Sequence, residues 1–548
     1  VLEEYEEALS SRALLDFTGL LERSVRLLEQ MDEFSRSRYR LESRYHHVLV
    51  DEFQDTSRMQ WKLISLLVQS WSEGSGLTDD IPVPPTIFIV GDRKQSIYKF
   101  RNADLSIFRD ASKKIENLRN QDRVHSVISE SFRSVPTLLN FINDFFDDIG
   151  NESNDKHSFS FKEQDRFPVR TSLEVDENAT ALGLVIADSV EKCANSVADE
   201  IVDLLSAGQV KKKDGGYRSI RKTDIAILFR SRASHREFER ALESRSVPTY
   251  VYKGLGFFDA KEIKDIRALI RFLANPSSEL RAAAFLRSRF VNFSDTGLSV
   301  LSRQLSKSLT DPDPLTEFQR LSISDKDMLT KSRQGLARWL KLVDRLPPSE
   351  VLERVLRETA FAYELRGPHS AQAIANVGRM RSLIRRIQNR GYATMGRLSE
   401  HIDQLSSEMS NAVVESIDAV NLMTVHAAKG LEFPVVFLVD LGRGVTSQSS
   451  RIRVVADQGD GEPSVTVAPF RAEADRIERR RESEETKRLL YVAVTRACDR
   501  LYFSTVLKRE KPVFKNKTSL GSAFPESFSK IFLDESIRSE AKFVEWKG

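Results

Sequence analysis

Val48-Leu49-Val50-Asp51-Glu52-Phe53-Gln54-Asp55-Thr56 is the stretch on which the fold turns. A short aliphatic run, His47 to Val50, stops abruptly at two acids. Such a run is too short for a helix and reads as a buried-type strand. Open α/β sheets place their chemistry at the C-terminal ends of strands, where this one delivers Asp51 and Glu52. An aspartate there can hold magnesium through water, and a glutamate can orient the water that attacks a γ-phosphate, as in a Walker B site. A lone Asp-Glu after a strand would be a solvated turn; the Gln-Asp-Thr that follows makes this one specific.

Working outward, Thr86 to Val90 forms a second apolar run, ending in Gly91-Asp92. Val124 to Ser129 is a third and leads into Ser131-Phe132-Arg133. Further runs are Asp224 to Phe229, Ala419 to Thr424, Val435 to Val439 and Leu501 to Ser504. Short runs separated by helical stretches predict parallel strands. The first forty residues read as amphipathic helix, with Leu14, Leu15, Phe17, Leu20 and Leu21 on one side. Residues 150–180 are polar and irregular and read as a surface insertion. Residues 209–222, with Lys211-Lys212-Lys213 and Gly215-Gly216, read as an exposed turn, either solvated or touching phosphates. Residues 277–415 carry helical periodicity and few strand signals. The order is α/β, then helical, then α/β, which suggests a core interrupted by an insertion.

The bulk numbers bound these readings. A chain of 548 residues exceeds one core and implies about three to five units of ordinary size. Hydrophobic residues make up 40% and charged residues 30%, a globular composition. The net charge of +3, from 83 basic and 80 acidic side chains, neither demands nor excludes a nucleic-acid partner, so local clusters decide. Cys193 and Cys498 are the two cysteines and lie in no CxxC pattern, so neither a disulfide framework nor a zinc or iron–sulfur site is supported. A reducing, cytoplasmic setting fits. No apolar run reaches the roughly 18 residues of a membrane span, and no membrane partner is expected.

Past the second strand runs Ile89-Val90-Gly91-Asp92-Arg93-Lys94-Gln95-Ser96-Ile97-Tyr98-Lys99-Phe100-Arg101. The Gln95 amide could sense a γ-phosphate. Tyr98 and Phe100 could stack on single-stranded bases while Lys99 and Arg101 meet phosphates. An isolated aromatic pair is more often core.

DEFQDT followed by GDRKQSIYKFRNAD resembles motifs II and III of the superfamily 1A UvrD/Rep-type DNA helicases, and the rest of the chain fits the same family. Glu130-Ser131-Phe132-Arg133-Ser134 resembles motif IV, with Phe132 where a tyrosine is common. Val247-Pro248-Thr249-Tyr250, Gly254 to Phe258 and Glu262 to Asp265 resemble region IVa. Val420 to Phe433 (VNLMTVHAAKGLEF) resembles motif V, and Arg488 to Ala497 (RLLYVAVTRA) motif VI. Asp16 to Leu21 (DFTGLL) echoes an upstream family segment. The resemblance covers about 14–505, weakly over 277–415.

The resemblance implies an α/β fold of two RecA-like P-loop NTPase lobes, the first incomplete, with a mostly helical insertion in the second. The implied segments are 1–123 (partial lobe 1A), 124–276 (lobe 2A, first part), 277–415 (a 2B-like insertion) and 416–548 (lobe 2A, second part, and a tail). ATP and Mg2+ are the implied cofactors. Asp51, Glu52, Gln95, Arg133 and Arg496 would be catalytic, with Asp51 holding the magnesium through water and Arg496 the arginine finger. Phe132 would stack on adenine, and Arg133 and Glu432 would contact the nucleotide. Tyr98, Phe100, Arg101, Thr424 and His426 would contact DNA. Single-stranded and duplex DNA are the implied partners, with an AddB/RecC-like subunit if the chain is of the AddA/RecB branch, to which GDRKQSIYKFRNAD leans.

No G-x-x-x-x-G-K-[ST] occurs in the 548 residues. The first residue is Val, and the chain reads as a truncated protein whose P-loop lies upstream; such a fragment alone should be a poor ATPase. The nuclease domain that AddA and RecB carry downstream of motif VI is not visible. The function expected of the parent is ATP-dependent 3′–5′ helicase and translocase action in double-strand break repair and recombination. Two alternatives stay open: a UvrD/Rep-type repair or replication helicase, and a non-catalytic helicase-like DNA-binding scaffold. Decay to a scaffold normally scrambles the charged motif residues, which are all present here.

Overall fold

The computed structural model describes residues 2–11, 14–30, 45–68, 86–98, 103, 106–118, 126–127, 130–150, 158–169, 181–212, 216–251, 257–258, 260–302, 304–311, 316–365, 370–389, 394–407, 418–445, 452–455, 464–467, 470, 473–508, 511–512, 518–528 and 541–544. The chain divides into two units, one of Val1–Asp188, Ala428–Glu432 and Asp440–Gly548, the other of Ser189–Ala427 and Phe433–Val439.

The first unit opens with two helices, α1 (Leu2–Ser11) and α2 (Phe17–Glu29). Asp16 caps α2, its Oδ1 accepting from the Gly19 N–H at 2.6 Å. The expected apolar side is not the packed one. Leu14 and Leu15 precede α2 and are exposed, as are Phe17 and Leu20. The helix instead buries Val25 and Leu28, which follow Leu21 at helical spacing and face α3 (Arg58–Leu67).

The Walker B-like run forms β1 (His47–Val50), parallel to β2 (Thr86–Ile89), with Leu49 opposite Phe88. Val50, Ile87 and Ile89 pack on a core of Phe53 and Trp61 with Ile107 and Ala111 of α4 (Ser106–Leu118). Phe53 meets Trp61 and Phe108 edge to face, with ring centroids 5.5 and 5.0 Å apart. Ser57 and Gln60 form a capping box that starts α3 directly after the DEFQDT turn. The expected strand 124–129 lies mostly outside the described residues, and 126–127 are not strand. Helix α5 (Pro136–Gly150) begins on a proline, whose missing N–H costs nothing at a first turn, and buries Leu138, Phe141, Ile142, Phe145 and Phe146. Strand β3 (Leu182–Ala187) is fully buried.

The second unit starts with α6 (Val190–Ala207), capped by Ser189. The Lys211 region is a hairpin of β4 (Gln209–Lys211) and β5 (Tyr217–Ser219), with Gly216 at φ 75°; Lys211 and Lys212 are exposed. The predicted DIAILF strand is β6 (Ile225–Phe229), buried throughout. After α7 (His235–Glu243), β7 (Thr249–Val251) and α8 (Lys261–Ala274) the chain turns helical, as expected. Helices α9 (Glu279–Arg287), α10 (Asp295–Val300), α11 (Leu305–Thr310), α12 (Ile323–Trp339), α13 (Pro348–Glu358), α14 (Ser370–Gln388) and α15 (Met395–Ser407) build one core with α8. Phe272 stacks on Phe285 at 5.2 Å, and Leu336, Trp339, Met380 and Ile384 belong to the same core. Strands β8 (Val420–Thr424) and β9 (Phe433–Val439) complete the parallel order β9-β6-β8-β7. Buried on every side, β6 and β9 carry the continuous apolar runs that parallel strands require.

The first unit resumes with the hairpin β10 (Ile452–Val455) and β11 (Ser464–Val467), then α16 (Glu473–Val494) and β12 (Ala497–Lys508). β12 lies parallel to β3, and β13 (Lys511–Pro512) folds back on β12. On its other edge β3 pairs with antiparallel β14 (Ala541–Val544). Residues 158–169, within the stretch expected to be a surface insertion, do lie largely at the surface but are anchored by two buried rings. Phe159 and Phe161 are buried against Phe146 and Tyr491, because two phenylalanines among polar neighbours suffice to anchor so short a strap. No helix among the described residues is long and apolar enough to cross a membrane.

Candidate active site

The site is built on the loops that follow β1 and β2. The Val90 N–H donates to the Val50 carbonyl at 2.8 Å, and the Phe53 N–H to the Val90 carbonyl at 3.0 Å, so the two loops leave the sheet stitched together. Asp51 and Glu52 are exposed at the strand end; the Asp51 carboxylate accepts from the Glu52 N–H at 2.8 Å. Glu52 itself is left-handed, at φ 51° and ψ 39°. Gln54, buried beneath it, ties the motifs together: its Nε2 donates to Glu52, and its Oε1 accepts from the Asp92 N–H at 2.9 Å. Its carbonyl accepts from the Ser96 hydroxyl at 3.0 Å. Gly91 is required here, since a Cβ would stand 2.5 Å from the Gln54 Oε1 and 2.7 Å from the Phe108 ring.

Gln95 lies in a 3-10 turn, Arg93–Gln95, that Asp92 caps by accepting from the Lys94 N–H at 3.0 Å. The Gln95 amide nitrogen donates to Asp92 at 3.0 Å, and its oxygen accepts from Arg496 at 3.4 Å. Arg496 is 1% exposed, which excludes a surface salt bridge. Its other donors reach the Val492 carbonyl (2.9 Å), the Leu431 carbonyl (3.0 Å) and the Thr495 hydroxyl (3.2 Å). Burial, and behind it the charge of Arg133, pushes its pKa down to about 10, against the pull of Tyr491, Glu52 and Glu432. Arg488, also buried, is pushed down to about 10 by burial, with Glu484 and Glu485 opposing and Arg93 adding to the fall. Both stay charged at neutral pH.

Arg133 donates to Glu432 at 2.7 Å, pairing the fourth motif with the fifth. The Ser134 hydroxyl donates to the Ala497 carbonyl (2.7 Å) and the Val135 N–H to the Cys498 carbonyl (2.8 Å), fixing this segment to the start of β12. Lys429 reaches the opposite side of the cluster. Its ammonium donates to Asp55 at 2.6 Å and to the Gln95 carbonyl at 2.8 Å, lies 3.7 Å from Glu52, and sits 4.9 Å from the centre of the Tyr98 ring. Carboxylates and guanidiniums from residues 51–55, 92–96, 133, 429–432 and 496 thus converge. The exposed acids could hold a hydrated cation, and the planar guanidiniums beside them could hold phosphate oxygens.

The sequence profile of the UvrD-like helicase C-terminal domain matches residues 127–508, and that of the UvrD/REP helicase N-terminal domain matches residues 1–116. The chain belongs to the UvrD-like helicase family. Among curated UvrD-like relatives, the A subunit of the ATP-dependent helicase/nuclease of Listeria monocytogenes is 27% identical over 588 residues, covering 100% of this chain and 46% of that protein. The A subunit of the Bacillus pumilus helicase/nuclease is 26% identical over 93% of this chain and 43% of its own length. The ATP-dependent DNA helicase PcrA of Bacillus subtilis is 27% identical over 93% of this chain and 61% of its own. The chain spans about half the length of the helicase/nuclease relatives.

Of the residues expected from the UvrD-like motifs, Asp51, Glu52, Gln95, Arg133, Glu432 and Arg496 come together. Phe132, beside Arg133, is 88% exposed, a ring face open to solvent rather than core. Tyr98 is half-buried against Lys429. Phe100 and Arg101 lie outside the described residues. Thr424 ends β8, accepting from the Ala427 N–H at 3.3 Å, and His426 lies in the helical turn Val425–Ala428; both belong to the second unit. Two participants were missed, Gln54 and Lys429. Both stood within quoted motifs without a role, and their burial was the missing information.

Proposed function

We propose that the complete protein is an ATP-dependent DNA helicase and translocase of 3′→5′ polarity, acting in double-strand break repair and recombination. The observation that carries the reading is the Gln95–Arg496 contact inside a cluster that also gathers Glu52, Arg133, Lys429 and Glu432. A bridge from a strand-end amide to a buried guanidinium suits transition-state charge stabilisation, and a bare scaffold has no use for it. Bound ATP with magnesium supplies the phosphoryl group whose loss to water drives movement. Asp51 would hold the cation through water and Glu52 would orient the attacking water. Gln95 and Arg133 would contact the γ-phosphate, Phe132 would stack on adenine, and Glu432 would hold the sugar or triphosphate region. Arg496 would neutralise charge as it develops. Tyr98, Phe100 and Arg101, with Thr424 and His426, would grip single-stranded DNA. The same reading makes 1–123 part of one RecA-like lobe, 124–276 and 416–548 the other, and 277–415 an insertion meeting duplex DNA or a partner.

An AddA-like role with a second subunit is supported over a PcrA-like one by the helicase/nuclease A subunits among the most similar curated relatives. In the complete protein, Glu52→Gln should bind ATP and single-stranded DNA normally and lose at least about 10²-fold in turnover. Arg496→Ala should lose roughly 10³-fold. Wild-type unwinding of a 3′-tailed duplex by either variant overturns the reading.

A further inference from the structure

The strap 158–169 is pinned at three places. The Phe159 N–H donates to Glu484 of α16. Arg166 pairs with Asp144, at 3.2 Å, and with Asp147, both on α5. Asn143 grips the Phe167 backbone from both sides, donating to its carbonyl and accepting from its N–H, each at 2.8 Å. Between these anchors, Asp165 closes its own 3-10 turn by accepting from the Lys162 N–H at 2.9 Å. Its other oxygen accepts from the Lys94 ammonium at 2.9 Å.

Lys94 precedes Gln95 in the same 3-10 turn. Its ammonium is mostly shielded, lies 3.1 Å from Asp92, and sits 5.8 Å from the centre of the Tyr491 ring. Burial works against that charge, yet Asp92 and Asp165 outweigh it and raise its pKa. Asp92 is shared: it accepts from Lys94 and from the Gln95 amide. An error in where Lys94 sits therefore passes to Gln95 through one carboxylate.

We infer that Asp165 is a positioning residue: from a rigidly anchored strap it seats Lys94 and Asp92, and so aims the Gln95 amide at Arg496. This rests on the proposed reading of Gln95 as a nucleotide-contacting residue. Among the described residues Asp165 bonds to Lys162 and Lys94, so its effect on Gln95 must travel through the turn.

The test is a double-mutant cycle in the complete protein, reading single-stranded-DNA-stimulated ATP hydrolysis for wild type, Asp165→Asn, Gln95→Ala and the pair. Asp165→Asn should lower kcat about tenfold, as a small misplacement of an aligned group does, with KM for ATP within about twofold. In the Gln95→Ala background the same change should cost nothing further. Asp165→Glu, which keeps the charge, should recover most of the rate. A loss of folded protein would instead recur equally in both backgrounds, and that result overturns the inference, as does Asp165→Asn at the wild-type rate. Gln95→Ala at the wild-type rate sinks the reading beneath it, a separate outcome. Should Asp165→Asn fail to fold, Lys94→Met removes the other end of the pair and carries the same cycle.

Discussion

Glu52 holds a left-handed backbone, a conformation that costs a side-chain-bearing residue about 1 kcal/mol or more. The chain tolerates it because Gln54, Asp51 and Lys429 all bond or face this one turn. Two predictions belong at this scale. Gly91→Ala puts a methyl against the Gln54 amide and the Phe108 ring, and should cost about 1–3 kcal/mol in urea unfolding, with the midpoint lowered and the slope unchanged. Stability equal to wild type would mean the loops can part, and that the stitch from Gln54 to Asp92 is loose. Lys429→Met removes the cation that Asp55, Gln95 and Tyr98 share. With its side chain 6% exposed, the loss should be about 3 kcal/mol, and Lys429→Arg should cost less. Equal losses for Met and Arg would show that the fit of the ammonium, not its charge alone, carries the contribution.

At the level of elements, helices α10 and α12 are tied by one buried carboxylate. Asp325 accepts from the Ser294 N–H (3.1 Å), the Ser294 hydroxyl (2.8 Å) and the Ser322 hydroxyl (2.8 Å). Burial works the other way, but these donors hold its pKa below the ordinary carboxylate value. A depressed acid adds stability that is fully present above its unfolded pKa and is lost as pH falls through the folded one. Asp325→Asn should thus destabilise the second unit by about 1–2 kcal/mol at pH 7, with the gap closing below about pH 4. A gap independent of pH would assign the loss to packing. Such ties were illegible in the sequence, whereas the strands β1, β2, β6, β8 and β9 were plain from short apolar runs ending in polar turns. The helical stretch was equally plain from its periodicity. The α2 stripe and the anchoring of the strap 158–169 are set by what they pack on, and local pattern does not carry that. Asp51, Glu52 and Gln95 were legible as polar residues just past strands, whereas Arg133, Glu432 and Arg496 were marked only by the resemblance to the helicase motifs. Lys429 and Asp165 act by contacts between segments hundreds of positions apart in one case and about seventy in the other, and spacing gives no hint of either.

For the whole molecule, the telling feature is the exposed side of the β1–β2 pair among the described residues. Leu49 is 75% exposed and Phe88, opposite it, 60%. Parallel strands almost always carry cover on both faces, so two large apolar side chains exposed here are unusual. The helicase/nuclease relatives are about twice as long as this chain, and no G-x-x-x-x-G-K-[ST] occurs within the 548 residues. Without a loop of that kind to present backbone N–H groups to a triphosphate, the 548-residue chain should show little ATP hydrolysis, with or without single-stranded DNA, and its exposed Leu49 and Phe88 should bind a hydrophobic dye. Phe88→Ser discriminates further. In the 548-residue chain it should cost less than about 1 kcal/mol in urea unfolding, since an exposed ring contributes little; a loss near about 3 kcal/mol would mean that the ring is packed. Strong DNA-stimulated hydrolysis by the 548 residues would leave the triphosphate grip to Arg133, Arg496 and Lys429.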